Sequence, residues 1–243
     1  MRYLIDFSYS GALFNGYQKQ PGKRTVQDEV EKVLTMINNN KKVIIHSSGR
    51  TDSKVNALHQ MAHFDFDYDI SCYKLKGALN SYLPSDIYIN EVKKVDNDFH
   101  ARYNVKSKTY EYRINTGSYN PLKKDYEYQY LKELDIKKME DSLKFFLGKH
   151  DFTTFVSSED KKEDKVREIF DASIVKEGDT IIIRFVGSGF LKYQVRNMVG
   201  LLIDIGSGKF DYNKVLILFE KKDRKQIGKT APACGLTLID VKY

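Results

Sequence analysis

The sequence predicts an α+β protein made of two tandem ferredoxin-like (RRM-like) units, each with the order β-α-β-β-α-β. Short segments alternate apolar and polar residues, stretches between them have helical periodicity, and the same order recurs in the second half. The 243 residues, 41% of them hydrophobic, suffice for one large or two small cores. We expect a first domain over residues 1–105 and a second over residues 106–243.

The first half contains a complete predicted unit. Arg2–Ser8 alternates as a half-buried strand, and Thr25 is placed to cap a helix, with Asp28 completing an acidic variant of the capping box. The helix is predicted to stop at the run of Asn residues 38–40. The later elements are a strand over Lys42–Ser47, a strand over Leu58–Tyr68, a helix capped by Ser71 and ended by Pro84, and a strand over Ile87–Val95.

The second half repeats this order with longer connections. Its predicted elements are a strand over Lys108–Asn115, a helix over Asp135–Leu147, strands near Arg167–Lys176 and Thr180–Val186, helices over Gly189–Ile205 and Asp211–Glu220, and a closing strand over Gly235–Tyr243. Gly148 lies just past the first of these helices, where Gly is favoured as a terminator.

The composition favours a polyanionic partner. Lys and Arg number 40 against 33 Asp and Glu, giving a formal net charge of +7, although a solvated surface would explain the same excess. No apolar run reaches membrane-spanning length, and Asp6 comes too early for a signal peptide, so we expect a cytoplasmic protein. Cys72 and Cys234 are too few for a zinc site or a disulfide framework.

Three residues are candidates for chemistry or RNA contact. Asp52 lies in the loop Ser48–Ser53 with Arg50 two residues away, but an Asx turn held by the arginine would give the same pattern. Arg196 lies in an apolar helix, where an unpaired guanidinium costs several kcal/mol; it needs an anionic partner unless it snorkels to the surface. Tyr110 lies on a strand flanked by basic residues, which suits base stacking or core packing.

A metal site is not predicted. His59 and His63 are four residues apart, but a zinc protease would hold such a pair on a helix with Glu after the first histidine. Here Gln60 follows, and the segment alternates as a strand.

Several segments together resemble the tRNA pseudouridine synthase A family, nearly from end to end. They are Phe14–Gln20, Arg24–Gln27, Gly49–Asp52, Phe99–Arg102, Tyr110–Tyr112, His150–Phe155, Phe190–Gly200, Gly208–Lys209, and Ala231–Pro232 before Gly235–Leu236. Each is weak alone, whereas their order and spacing are specific.

The resemblance implies a pseudouridine-synthase fold with a central basic cleft, a homodimer, and action without metal or cofactor on uridines of the tRNA anticodon stem-loop. It makes Asp52 the catalytic carboxylate, Tyr110 the aromatic residue that stacks on the uracil, and Arg196 the basic partner of Asp52. Arg50 would hold the flipped nucleotide. The expected substrate-binding residues, besides Tyr110, are Arg50, Gln18, Lys19, Arg102 and Leu236.

The sequence departs from the family after Asp52. The family usually continues Ala-Gly-Val-His-Ala, whereas this chain has Ser53, Lys54, Val55, Asn56 and Ala57, and His59 replaces a Gly before Gln60. Gly permits backbone angles that Lys54 would make costly. We therefore keep as alternatives a paralogue acting on another tRNA position or on rRNA, and a noncatalytic RNA-binding protein. A metal-dependent nuclease would need clustered carboxylates or metal-spaced histidines that the sequence lacks.

Overall fold

A computed structural model describes residues 1–157 and 163–243 and confirms the α+β class. Contacts between Cα atoms divide the chain into two compact units. The first contains Met1–Lys106 and Leu238–Tyr243, and the second contains Ser107–Thr237. The sequence-based division had put the whole closing strand in the second domain, whereas its residues from Leu238 onward associate with the first unit.

The first unit has the strand order of a ferredoxin-like domain. Its elements are β1 (Arg2–Tyr9), α1 (Val26–Ile37), β2 (His46–Ser47), β3 (Asn56–Asp65), α2 (Cys72–Tyr82) and β4 (Ile87–Val95). β1 lies between β4 and β3 and is antiparallel to both, and the short β2 pairs with β3. Beyond β3 lies β10 (Leu236–Lys242), the strand that closes the chain.

The alternation in β1 produces the core of this unit. Tyr3, Ile5 and Phe7 are fully buried on one face of the sheet. Ile5 pairs with Ala62 of β3 and with Val92 of β4, both buried, so one apolar layer crosses three strands. Burial of side chains of this size contributes about 2 kcal/mol each.

The second unit has an antiparallel sheet in the order β5-β9-β8-β7. Its elements are β5 (Ser107–Asn115), β6 (Tyr128–Gln129), α3 (Ile136–Leu143), β7 (Gly148–Asp151), β8 (Val166–Glu177), β9 (Thr180–Gly187), α4 (Gln194–Gly206) and α5 (Lys214–Lys221). Ile181, Ile183 and Phe185 of β9 are buried, as are Met198 and Leu202 of α4, in agreement with the predicted periodicities.

Two predictions for the first unit are wrong in detail. Thr25 precedes α1, but its hydroxyl makes no capping bond, and Asp28 instead pairs with Lys19 and Lys32. The strand predicted from residue 42 to 47 shrinks to β2. Two side chains of α1 provide the reason: Thr35 Oγ1 and Glu31 Oε1 accept the N–H groups of residues 43 and 45, which a neighbouring strand would otherwise bind.

The helix predicted from Gly189 begins five residues late, at Gln194. Tyr193 has φ 66° and ψ 0°, a left-handed conformation that cannot continue a right-handed helix. The helix predicted over Asp135–Leu147 ends as α3 at Leu143 and continues as a 3-10 turn over Lys144–Phe146. The short strands β6 and β7 were missed because two to four residues carry too little periodicity.

Within the part of the chain that the structure describes, no helix is long and apolar enough to span a membrane.

Candidate functional site

Asp52 lies at the start of a tight turn that leads into β3. Its carbonyl oxygen accepts a hydrogen bond from the N–H of Val55 at 3.2 Å, which closes a four-residue turn. Asp52 is partly exposed, whereas its neighbour Thr51 is buried. The predicted loop is therefore confirmed, and it has one residue fixed in the core beside a partly exposed Asp.

A buried polar network lies beneath this loop. The Tyr9 and Thr51 hydroxyls are 2.8 Å apart, and Gln60 of β3 contacts Ser48, Gly49 and the Tyr9 hydroxyl at 2.7, 3.2 and 3.5 Å. Burial raises the pKa of Tyr9 to about 12, so its hydroxyl stays protonated at physiological pH.

The segment before α1 packs against the same loop. The N–H of Tyr17 donates to the Thr51 carbonyl at 3.1 Å, and Ser53 Oγ donates to the Phe14 carbonyl at 3.1 Å. Gly16 has φ 97°, and a Cβ there would lie 3.2 Å from both Ser53 N and the Thr51 carbonyl oxygen. The family-like segment at residues 14–20 is thus a backbone support for the Asp52 turn.

Lys54 has φ 66° at the third position of this turn. That conformation favours Gly, and it costs a residue with a Cβ about 1 kcal/mol. The expectation that a lysine is strained where the family has Gly is confirmed. The side chain is exposed, so the strain is confined to the backbone.

Other predicted substrate-binding residues of the first unit are on its surface. Arg50, Gln18, Lys19 and Arg102 are exposed, and Lys19 Nζ pairs with Asp28 Oδ1 at 2.6 Å. Arg50 shares the loop with Asp52, whereas the others lie on separate segments. The Asp28 contact, foremost through its hydrogen bond, raises the pKa of Lys19.

Tyr110 and Tyr112 lie on one face of β5 in the second unit. Tyr110 is 8% exposed, and its ring meets that of Phe190 edge to face at a centroid distance of 5.2 Å. Tyr112 is fully buried, and its hydroxyl donates to the Pro232 carbonyl at 2.7 Å. A Cβ on Gly235 would lie 2.7 Å from the Tyr112 ring. Tyr112 is therefore a core residue that fixes the segment before Leu236. Leu236 is itself buried, with 6% of its surface exposed.

Arg196 is partly buried on the first turns of α4. Its Nε donates to the Ala231 carbonyl at 2.8 Å, and its guanidinium carbon lies 4.9 Å from the centre of the Tyr193 ring. A backbone bond from Ala231 N to the Arg196 carbonyl ties the same two segments together. These contacts orient the guanidinium, and the anionic partner predicted from the sequence stays a prediction.

Asn197, next to Arg196, is a structural residue that sequence reasoning missed. It is fully buried; its amide donates to the Phe155 carbonyl at 2.7 Å, and its Oδ1 accepts from Thr230 Oγ1 and Arg224 Nη2 at 2.7 and 3.0 Å. The network anchors the segment around residue 230 on α4. An Asn inside an apolar helix was the available signal.

Three histidines of the first unit form a cluster: His46 of β2, His63 of β3 and His100, which follows β4. The His63 ring centroid lies 5.0 Å from that of His46 and 4.7 Å from that of His100. His63 Nδ1 accepts from the N–H of Ala101 at 3.1 Å, and burial, with the positive neighbours His100, Arg2 and His46, lowers the pKa of His63 to about 4. No group of three His, Cys, Asp or Glu among the described residues is arranged to hold a metal ion.

A family model for tRNA pseudouridine synthase matches residues 7–104 and 143–243, well over half of the chain. The matched ranges include the Asp52 loop and the α4 segment described above. The chain belongs to the tRNA pseudouridine synthase family, a class of isomerases.

Similar proteins carry a more particular name. A tRNA pseudouridine synthase A of Streptococcus pneumoniae (strain 70585) is 41% identical over 100% of this chain and 98% of its own length. A tRNA pseudouridine synthase A 1 of Bacillus cereus (strain ATCC 14579) is 42% identical over 97% and 96%. A crystal structure of a Cbf5-Nop10-Gar1 complex matches with TM-score 0.34 and 13% identity, covering 83% of this chain and 54% of that one, a similarity too low to support a conclusion.

Proposed function

We propose that the protein converts uridine to pseudouridine in the anticodon stem-loop of tRNA, with Asp52 as the essential carboxylate and without a cofactor. The observation that carries the proposal is the family match across both units, together with an Asp presented by a turn whose supporting residues are buried. The net charge of +7 suits an RNA substrate.

The reaction requires a carboxylate that acts on the ribose. The bond between uracil N1 and C1′ breaks, the base turns, C5 bonds to C1′, the C5 hydrogen leaves as a proton, and N1 takes up a proton from solvent. Asp52 adds to C1′ or removes the C2′ proton; both routes are compatible with its position on an exposed turn.

The other predicted residues supply binding and charge. The target nucleotide must leave its stack, which costs a few kcal/mol. In the proposal Tyr110 contacts the uracil, Arg196 pairs with the Asp52 carboxylate, and Arg50 holds the flipped nucleotide. Gln18, Lys19, Arg102 and Leu236 contribute further RNA contacts. Arg196 suits its role because Ala231 and Tyr193 already fix the direction of its guanidinium.

We further propose that the protein acts as a homodimer in the cytoplasm. Sedimentation at micromolar concentration tests the dimer, and a monomer with full activity would contradict it. The departure at Lys54 leaves rRNA as a second possible substrate.

Tritium release tests the reaction directly. Transcripts labelled at uridine C5 should release tritium to water when tRNA is the substrate, because rejoining through C5 expels that hydrogen. Asp52→Asn should abolish release, whereas Asp98→Asn, at an exposed site outside the turn, should retain it. Release from rRNA alone would show that rRNA, rather than tRNA, is the substrate. Tight binding of RNA without tritium release from tRNA or rRNA would contradict the proposed activity.

A further inference from the structure

Gln60 is a fully buried amide whose hydrogen-bonding capacity is completely used. Its Oε1 accepts from Ser48 Oγ at 2.7 Å and from Met61 N at 3.2 Å. Its Nε2 donates to the Gly49 carbonyl at 3.2 Å and to the Tyr9 hydroxyl at 3.5 Å. Two acceptor and two donor contacts satisfy a side-chain amide. The Met61 N–H and the Gly49 carbonyl each permit only one orientation of the amide.

The amide links β3 to the loop through Tyr9. Gln60 Nε2 donates to the Tyr9 oxygen, and the Tyr9 and Thr51 hydroxyls lie 2.8 Å apart, where either one can donate. The raised pKa of Tyr9 keeps its hydroxyl protonated. The hydrogen-bonded path therefore runs from β3 through β1 into the residue that precedes Asp52.

Thr51 is held at its backbone as well. Its carbonyl accepts the Tyr17 N–H at 3.1 Å, while the carbonyl of Asp52 closes the turn with Val55. Farther back, Ser48 N donates to the Met61 carbonyl at 2.7 Å. The Ser48 end of the loop is thus bound to β3, the Asp52 end is closed by Val55 just before β3, and Thr51 between them is bound through its side chain.

We propose that Tyr9 and Gln60 are positioning residues that act through Thr51 to aim the Asp52 carboxylate at the ribose. The inference rests on the proposed function. Misplacement of a reacting group by about 1 Å costs on the order of 100-fold in rate. Loss of the Tyr9–Thr51 hydrogen bond should therefore reduce turnover without weakening RNA binding, because neither residue is exposed to the substrate.

Two substitutions remove this hydrogen bond from opposite sides. Tyr9→Phe and Thr51→Val each delete one hydroxyl with little change in volume. Each should lower the single-turnover rate by about 10- to 100-fold with the Kd for tRNA changed less than twofold. The double variant should be no slower than the slower single variant, because both changes remove the same bond. Thr51→Ser retains the hydroxyl and should restore most of the rate.

Tyr3→Phe is the matched control. Tyr3 lies on the same strand with a buried ring, and its partly buried hydroxyl bonds to Asp69 Oδ1 and the Ile70 carbonyl at 3.0 Å, away from the Asp52 loop. This variant should lose thermal stability to a similar extent as Tyr9→Phe but keep the wild-type rate.

Gln60→Met tests the start of the network with a side chain of similar length. It should slow turnover at least as much as Tyr9→Phe. Wild-type rates in folded Tyr9→Phe and Thr51→Val, or equal slowing in Tyr3→Phe, would overturn the positioning role. Failure of the wild-type protein to release tritium from any RNA would instead overturn the proposed function.

Discussion

Each unit contains a bulky residue in the left-handed conformation beside a predicted catalytic residue. Lys54 follows Asp52 by two positions in the first unit, and Tyr193 precedes Arg196 by three in the second; both have φ 66°. Lys54 is exposed, whereas Tyr193 is half-buried and its ring lies 4.9 Å from the Arg196 guanidinium. The same backbone strain thus accompanies a solvent-facing side chain in one unit and a side chain that orients a cation in the other.

Tyr193 and Lys54 differ in what their left-handed conformation does for the neighbouring residues. At Tyr193 the carbonyl also accepts the Asn197 N–H at 2.9 Å, so the unusual conformation both starts α4 and places a ring beside its first turns. At Lys54 the backbone N–H donates to the Phe14 carbonyl at 3.4 Å, and the exposed side chain orients no catalytic group. Removing strain should therefore benefit the first unit and harm the second.

The largest expected effect is at Arg196. Arg196→Lys should lower the single-turnover rate about 100-fold, because an ammonium lacks the planar Nε donor that binds Ala231. The Kd for tRNA, measured by filter binding, should change much less. Equal losses in rate and affinity would show that Arg196 contacts phosphate rather than a catalytic group.

Acid should destabilise the first unit selectively. Because His63 has a folded pKa of about 4 against an ordinary value of 6.5, its neutral form is favoured by folding. Its contribution is complete above pH 6.5 and is lost as the pH falls from 6.5 through 4, with about 2 kcal/mol lost by pH 5. Protonation also removes the Nδ1 acceptor of Ala101 N–H.

Hydrogen exchange resolved by segment would measure this loss at pH 7 and pH 5. Protection should decrease in β1 and β3 more than in β5 and β9, and His63→Asn should flatten the pH dependence. Equal loss in both units would contradict the assignment to His63.

Tyr193→Gly should relax the backbone and still lower the turnover rate about tenfold, since the ring beside Arg196 is lost; a cation–π contact contributes roughly 1 kcal/mol. Tyr193→Phe retains the ring and should behave like the wild type. A faster Tyr193→Gly enzyme would show that the strain, rather than the ring, affects catalysis.

The smallest effect is expected at Lys54. Lys54→Gly should raise the free energy of unfolding by up to about 1 kcal/mol, measured by urea denaturation, with little change in turnover. Lys42→Gly, at an exposed position without positive φ, should instead destabilise slightly. A destabilised Lys54→Gly variant would indicate that the lysine side chain compensates for its backbone.

Much of the fold could be predicted because its signals are local. The burial of Tyr3, Ile5 and Phe7 in β1 and the bounds of β4 follow from alternation, and Ser71 makes its predicted cap of α2 by accepting a hydrogen bond from Lys74 N at 3.3 Å. The failures at Thr25 and Tyr193 have a tertiary origin. Their conformations are set by neighbouring segments, which a helical pattern does not encode.

The residues of the candidate site also differ in whether the sequence alone indicates them. Asp52 and Arg196 stand out in the sequence because a carboxylate in a glycine-containing loop and a cation in an apolar helix need an explanation. Gln60 does not stand out, and Asn197 does so only as an Asn in an apolar helix, because the role of a buried amide is recognised only from the groups that surround it.

By itself the sequence determined the α+β class, the order of the elements and the loop that carries Asp52, since periodicity and turn chemistry act over a few residues. Only the tertiary structure decided the strained conformation of Tyr193 and the path from Gln60 through Tyr9 to Thr51. Those hydrogen bonds join residues 51 and 42 positions apart in the chain. Their partners become defined only when β1, β3 and the loop come together, because a hydrogen bond depends on the position and orientation of both groups.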